Sequence, residues 1–128
     1  MINKDMFYFA DIDEKFISTT KNIEGLEDGV LVHCQQCIEK NLKAIIQIKY
    51  GKIEEEYNLV KLLEVLYLNG FPHLKKYKSL CRALKDFYFS RRYASDDYEI
   101  LTEEEYKEYI DSFYELLGEI KKIRSEFE

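Results

Sequence analysis

The amino-acid sequence predicts an all-α protein: an up-and-down antiparallel helical bundle of four long helices plus one short helix. Apolar residues recur at steps of three and four over long stretches, which is the spacing of amphipathic helices. The 128 residues include one proline and five glycines, too few for a turn-rich β fold. This length suits a single domain, residues 1–128, built around one core. The connections are short, so consecutive helices should run antiparallel.

The second helix is predicted to be the central one, from about Asp28, its N-cap, to Tyr50, with Gly51 as the C′ residue. Its apolar arc comprises Leu31, Cys34, Ile38, Leu42 and Ile45. Beside the arc runs a polar stripe formed by His33, Gln36, Lys40 and Lys43. The apolar arc should build the core, while the polar stripe should face a groove, a partner or water.

The same spacing predicts the other helices. Helix one, about 5–23, should turn Phe9, Ile12, Phe16, Ile17 and Thr20 inward, with Asp11, Asp13, Glu14 and Lys15 mostly outside. Helix three covers about 58–68 and helix four about 72–89, with Pro72 at its start. Helix five runs from a capping box, Thr102 with Glu105, to the C-terminus. The segments 52–57 and 90–101 are predicted loops.

Charge and hydropathy exclude some function classes. The net charge of −6 argues against a general nucleic-acid or membrane binder, which needs clustered lysine and arginine. No apolar run approaches the roughly 20 residues that span a bilayer. The N-terminus lacks the pattern of a signal peptide, so we expect a cytoplasmic protein.

The three cysteines, Cys34, Cys37 and Cys81, are too few and wrongly spaced for a disulfide framework. A zinc site at Cys34-x-x-Cys37 would need two more ligands, and only His33 and His73 are histidines. Both cysteines lie on or near the apolar arc. We therefore predict small buried side chains, and neither a metal nor a cofactor.

Three segments of the sequence resemble HEPN domains, and their order and spacing are also those of the family. The last of them leads into the acidic start of helix five. The segments are His33-x-Gln35-Gln36-x-x-Glu39-Lys40-x-Leu42-Lys43-Ala44, then Asn58-Leu59-Val60-x-Leu62-Leu63, and then Tyr88-x-x-x-Arg92-Tyr93 with Asp96-Asp97-Tyr98.

The resemblance implies a helical bundle that forms a homodimer. It also implies a separately encoded minimal nucleotidyltransferase as partner, in a toxin–antitoxin or related defence system. Many HEPN domains are metal-independent RNases that carry an arginine and a histidine separated by four to six residues. Here no histidine follows Arg91 and Arg92, so the chain resembles the branch with an Arg-Tyr motif. It departs from the family pattern at Ala94, where proline is common, and at Tyr57, where histidine is common.

The candidate ligand- or partner-binding residues fall into two groups. One is the segment with Arg91, Arg92, Tyr93 and Asp97, where guanidinium groups can bind phosphate or carboxylate. The other, on helix two, comprises His33, Gln36, Glu39 and Lys43. From its family position, Glu39 is expected to pair with Arg92. The alternative is that one of the two arginines ties the loop to an acid such as Glu39, Asp96 or Asp97, for structure alone.

Three functions follow from these residues. The first is a dimeric module that binds a nucleotide or a partner, with no catalytic residue of its own. The second is an RNase in which His33, Asp97 or Tyr98 replaces the missing histidine. The third is a purely structural dimer. RNA remains a possible ligand, and no membrane is expected.

Overall fold

A computed structural model describes residues 2–51, 58–92 and 101–127, with side chains described for 6–51, 58–87 and 101–127. These ranges are helical and contain no β-strand. The elements are α1 (Ile2–Thr20), α2 (Glu27–Tyr50), α3 (Leu59–Tyr67), a 3₁₀ helix (Pro72–Tyr77), α4 (Lys78–Arg92) and α5 (Glu103–Arg124). The predicted all-α bundle is confirmed. The predicted loop 52–57 and residues 93–100 of the predicted loop 90–101 lie outside the described residues.

Local sequence signals fix several helix ends as predicted. Gly51 adopts the left-handed conformation, with φ 72°, and its N–H donates to the carbonyl of Gln47. Thr102 and Glu105 form the capping box at the start of α5, with both bonds 3.1 Å long.

The predicted N-cap of the central helix, Asp28, is wrong. α2 begins at Glu27, and its N-cap Leu26 makes no side-chain capping bond. The carboxylate of Glu27 instead accepts the N–H of Gly25, at 2.8 Å, in the preceding turn. Glu27 and Asp28 both place negative charge in the first turn, where the helix dipole favours it.

The helix predicted at 72–89 is two elements. Pro72 opens a 3₁₀ helix, and α-helical structure begins only at Lys78. Leu74 and Tyr77, three residues apart, are both buried, which suits a helix of three residues per turn. α4 then continues to Arg92, so residues 90–92 belong to a helix and not to the predicted loop.

α2 is the central helix, as predicted. It packs against α1, α3, α4 and α5. Every residue from Val30 to Ile48 is buried or partly buried. The five residues of the predicted apolar arc are at most 1% exposed.

The predicted inward face of α1 is mostly wrong. Ile17 is buried as expected, but Phe9, Ile12 and Phe16 are 51%, 46% and 41% exposed. The residues that face α2 instead include Ala10 and Asp13, at 0% and 5% exposure. Two rows on this helix have a spacing of three and four, and periodicity alone does not tell which row faces the core.

α5 runs beside α2 in the same direction. Near its start, the hydroxyl of Tyr106 donates to the carbonyl of Lys21, at 2.8 Å. At its end, Arg124 donates to Asp11 at 2.7 Å and to Asn41, in the middle of α2, at 3.1 Å. The rings of Phe87 and Tyr109 lie 5.5 Å apart. The C-terminal end of α4 therefore lies at the end of the bundle where α2 and α5 begin.

Within the described residues, no helix has both the length and the apolar character needed to cross a bilayer.

Candidate functional site

The polar stripe of α2 lies at the surface but is not freely exposed. His33, Lys40 and Lys43 retain 35%, 29% and 18% of their side-chain exposure. Gln36 and Glu39 are also partly buried. These side chains form two hydrogen-bonded groups, which differ in what they connect.

The first group, here the Asp13 cluster, comprises Asp13, His33 and Lys40. One carboxylate oxygen of Asp13 lies 2.9 Å from His33 Nδ1, and the other accepts from Lys40 Nζ at 2.6 Å. The ring of Phe16 packs on the imidazole, with centroids 4.0 Å apart. Asp13 belongs to α1 and its partners to α2, so the cluster ties the two helices together.

The cluster also orients the imidazole of His33. With Nδ1 directed at a carboxylate, the neutral ring carries its proton there and presents Nε2 as an acceptor. An imidazole held in this way by a carboxylate has the arrangement of a general base.

The second group, here the Glu39 row, lies entirely on α2. Gln36 donates to Gln35 at 2.7 Å, and Gln35 donates to Glu39 at 3.1 Å. Lys43 Nζ lies 3.4 Å from the other oxygen of Glu39. All three of these contacts join residues of α2 to one another.

The two groups determine the electrostatics of this face. Lys40 faces Asp13, and Lys43 faces Glu39, so each ammonium group has a carboxylate partner within α1 and α2. Binding of a phosphate here would have to compete with both carboxylates.

The arginine segment is described only in part. The backbones of Arg91 and Arg92 form the last two residues of α4. Their side chains, together with Tyr93 and Asp97, lie outside the described residues. The expected pairing of Glu39 with Arg92 therefore stays a prediction, whereas Gln35 and Lys43 are partners of Glu39.

Sequence reasoning missed Asp13, which holds the polar face of α2 to α1. The sequence pattern predicts an exposed side chain, but Asp13 is only 5% exposed. The available signal was a second row on helix one, Ala10-Asp13-Ile17, at steps of three and four. An acid in such a row indicates a buried charge with basic partners, here supplied by α2.

The predicted burial of Cys34, Cys37 and Cys81 is confirmed, because each is 0% exposed. Burial raises the pKa of the Cys37 and Cys81 thiols to about 12 and raises the pKa of Cys34 as well. All three thiols are therefore protonated near neutral pH and are poor nucleophiles.

A cleft of about 670 Å³ opens elsewhere, between the turn that joins α1 to α2 and the start of α5. Ile23, Glu27 and Tyr106 are among its lining residues. None of His33, Gln36, Glu39 and Lys43 lines it, so the polar face of α2 and this cleft are separate surfaces.

The central helix, its paired polar face and the capped final helix define an all-α bundle of the kind found in HEPN domains. The family model described as HEPN domain matches residues 16–123. The chain therefore belongs to the HEPN domain family. Neither a curated protein nor a solved structure matches it significantly.

Proposed function

We propose that this chain is a dimeric HEPN module that binds a nucleotide or a protein partner and does not itself catalyse a reaction. Its partner is a separately encoded minimal nucleotidyltransferase, within a cytoplasmic toxin–antitoxin or related defence system. The binding surface combines the polar face of α2 with Arg91, Arg92, Tyr93 and Asp97.

The observation that supports the proposal is the hydrogen-bonded arrangement of the polar side chains on α2. Its polar side chains are ordered by mutual hydrogen bonds, yet they remain at the surface. Such preorganised amides and paired charges lose little side-chain entropy on binding. Because both lysines of this face already have carboxylate partners, the phosphate-binding part of the surface is assigned to the arginines.

Calorimetry with ATP and AMP tests the nucleotide part. We expect the Arg91→Ala/Arg92→Ala variant to lose at least tenfold in affinity. The matched control is Arg82→Ala, an exposed arginine on the same helix, which should bind like the wild type. Absence of both heat and thermal shift at millimolar nucleotide would contradict nucleotide binding.

The partner part has a separate test. The nucleotidyltransferase encoded beside this chain is purified and mixed with it, and the mass of the mixture is measured by light scattering. We expect a complex that weakens in the Arg91→Ala/Arg92→Ala variant. Two unassociated species at micromolar concentrations would exclude this partner.

The Asp13 cluster favours one second candidate, an RNase with His33 as general base. In that reaction His33 Nε2 takes the proton of a ribose 2′-hydroxyl, whose oxygen attacks the adjacent phosphorus. The 5′-oxygen leaves and takes a proton from an acid or from water. We expect no cleavage of RNA by the wild type. Cleavage abolished by both His33→Ala and Arg91→Ala/Arg92→Ala would establish the enzyme instead.

A further inference from the structure

α1 carries apolar side chains on two different sides. The side facing α2 includes Ala10 and Ile17, which are both fully buried. A second row, here the outward stripe, lies on the other side and is exposed to solvent. The outward stripe comprises Phe9, Ile12, Phe16 and Thr19.

The spacing of the outward stripe is that of a helix–helix contact. Its steps are three, four and three, the alternation that places side chains along one seam between two packed helices. The hydroxyl of Thr19 is already bonded to the carbonyl of Lys15, at 2.8 Å, so its methyl group is the part available for packing. A stripe with this alternation fits a second helix better than a flat or irregular surface.

The exposed apolar area is large for one helix. Phe9, Ile12 and Phe16 are 51%, 46% and 41% exposed, and the neighbouring Tyr8 is 63% exposed. Large side chains present roughly 150–250 Å² each, so this patch amounts to roughly 400 Å². Patches of that size on monomers are often functional, and a stable interface needs roughly 800 Å² on each partner.

We infer that the outward stripe is the seam on which a second copy of this chain packs, α1 against α1. The inference rests on the dimer of the proposed function and names its surface. In a two-fold dimer the same patch meets itself, so the partner helix must carry the same apolar spacing. α1 of a second copy carries this apolar spacing because its sequence is identical.

The charges around the stripe allow this pairing despite a net charge of −6. The stripe itself contains no ionisable residue. The nearest acid towards α2, Asp13, is buried and faces Lys40 at 2.6 Å. Two of the acids on α1, Asp11 and Glu14, are each 2.7 Å from a cation of α5, so repulsion between copies is weak at the seam.

The Asp13 cluster borders the outward stripe on the side of α2 and adds to its area. Phe16 packs on His33, so the outward stripe continues directly into this cluster, and the Glu39 row stays available for the ligand or partner of the proposed function. An apolar centre bordered by paired polar groups is the usual anatomy of a protein interface.

The test measures molar mass by light scattering over a range of concentrations. We expect a dimer for the wild type and half that mass for Phe9→Glu/Ile12→Glu, with the helical circular dichroism retained. The matched control is Leu68→Glu, which changes a residue 72% exposed at the end of α3 and should stay dimeric. A monomeric wild type would contradict both the dimer and the seam, whereas a dimeric double variant would contradict the seam alone.

A crosslinking experiment covers the case in which the double variant does not fold. Because the three native thiols are buried, an introduced surface cysteine is the preferred target of a short bismaleimide. We expect Ile12→Cys to give a covalent dimer and Leu68→Cys to give none. No covalent dimer from Ile12→Cys at a concentration where the wild type is dimeric would overturn the seam.

Discussion

The two sides of α2 have the same helical period but are held by different means. One side carries Leu31, Cys34, Ile38, Leu42 and Ile45, each at most 1% exposed, and packs in the core of the bundle. The other side carries the Asp13 cluster, which bridges two helices, and the Glu39 row, which stays on one. From this comparison we expect the contribution of these interactions to stability to decrease from the core to the surface.

The largest loss should come from the core side. Leu42→Ala removes a side chain with 0% exposure and leaves a cavity, so we expect the free energy of unfolding to fall by about 3 kcal/mol. Urea denaturation measures this value. The control Leu68→Ala, at a residue 72% exposed, should change it by less than about 0.5 kcal/mol. Equal effects of the two substitutions would mean that the side assigned to the core is wrong.

The bridge between α1 and α2 should rank second. Asp13→Ala leaves Lys40 and His33 without their carboxylate, and we expect a loss of about 2 kcal/mol in unfolding free energy. The matched control is Asp111→Ala, an exposed acid on α5, which should be close to neutral. A loss at Asp13 no larger than at Asp111 would show that the cluster does not stabilise the helix pair.

The buried thiols should make the protein less stable in alkali. The pKa of Cys81 is raised by burial from 9.0 to about 12, so above pH 9 the unfolded chain loses a proton that the folded chain keeps. Stability is therefore fully present below pH 9 and falls above it, by about 1 kcal/mol per thiol between pH 9 and pH 10. Urea denaturation at both pH values measures the slope, and Cys81→Ala should reduce it by that amount. An unchanged slope would contradict the raised pKa.

The smallest effect should come from the Glu39 row. Glu39→Gln removes the charge that attracts Lys43, and a pair of this kind on one helix contributes about 0.4 kcal/mol. The loss should shrink further in high salt. A loss above about 1 kcal/mol, coupled to Arg92→Ala in a double-mutant cycle, would instead support the predicted pairing of Glu39 with Arg92.

Much of the fold could be predicted because its signals are local. The apolar arc of α2, the left-handed Gly51 and the capping box at Thr102 each depend on residues within a few positions of one another. The 3₁₀ helix after Pro72 was missed because a short run of buried residues fits either helix type.

The candidate site was harder to predict because its partners come from distant parts of the chain. The polar stripe followed from spacing, but its anchor Asp13 lies 20 residues before His33. On α1 two rows of equal spacing competed, and tertiary packing decided between them. The predicted roles of Arg91, Arg92, Tyr93 and Asp97 concern side chains outside the described residues and stay predictions.

The capping box at the start of α5 has an evolutionary consequence. Both of its bonds join Thr102 to Glu105, so the signal that starts the helix lies within four residues. Sequence changes that keep Thr102 and Glu105 should therefore preserve the starting point of α5 during evolution.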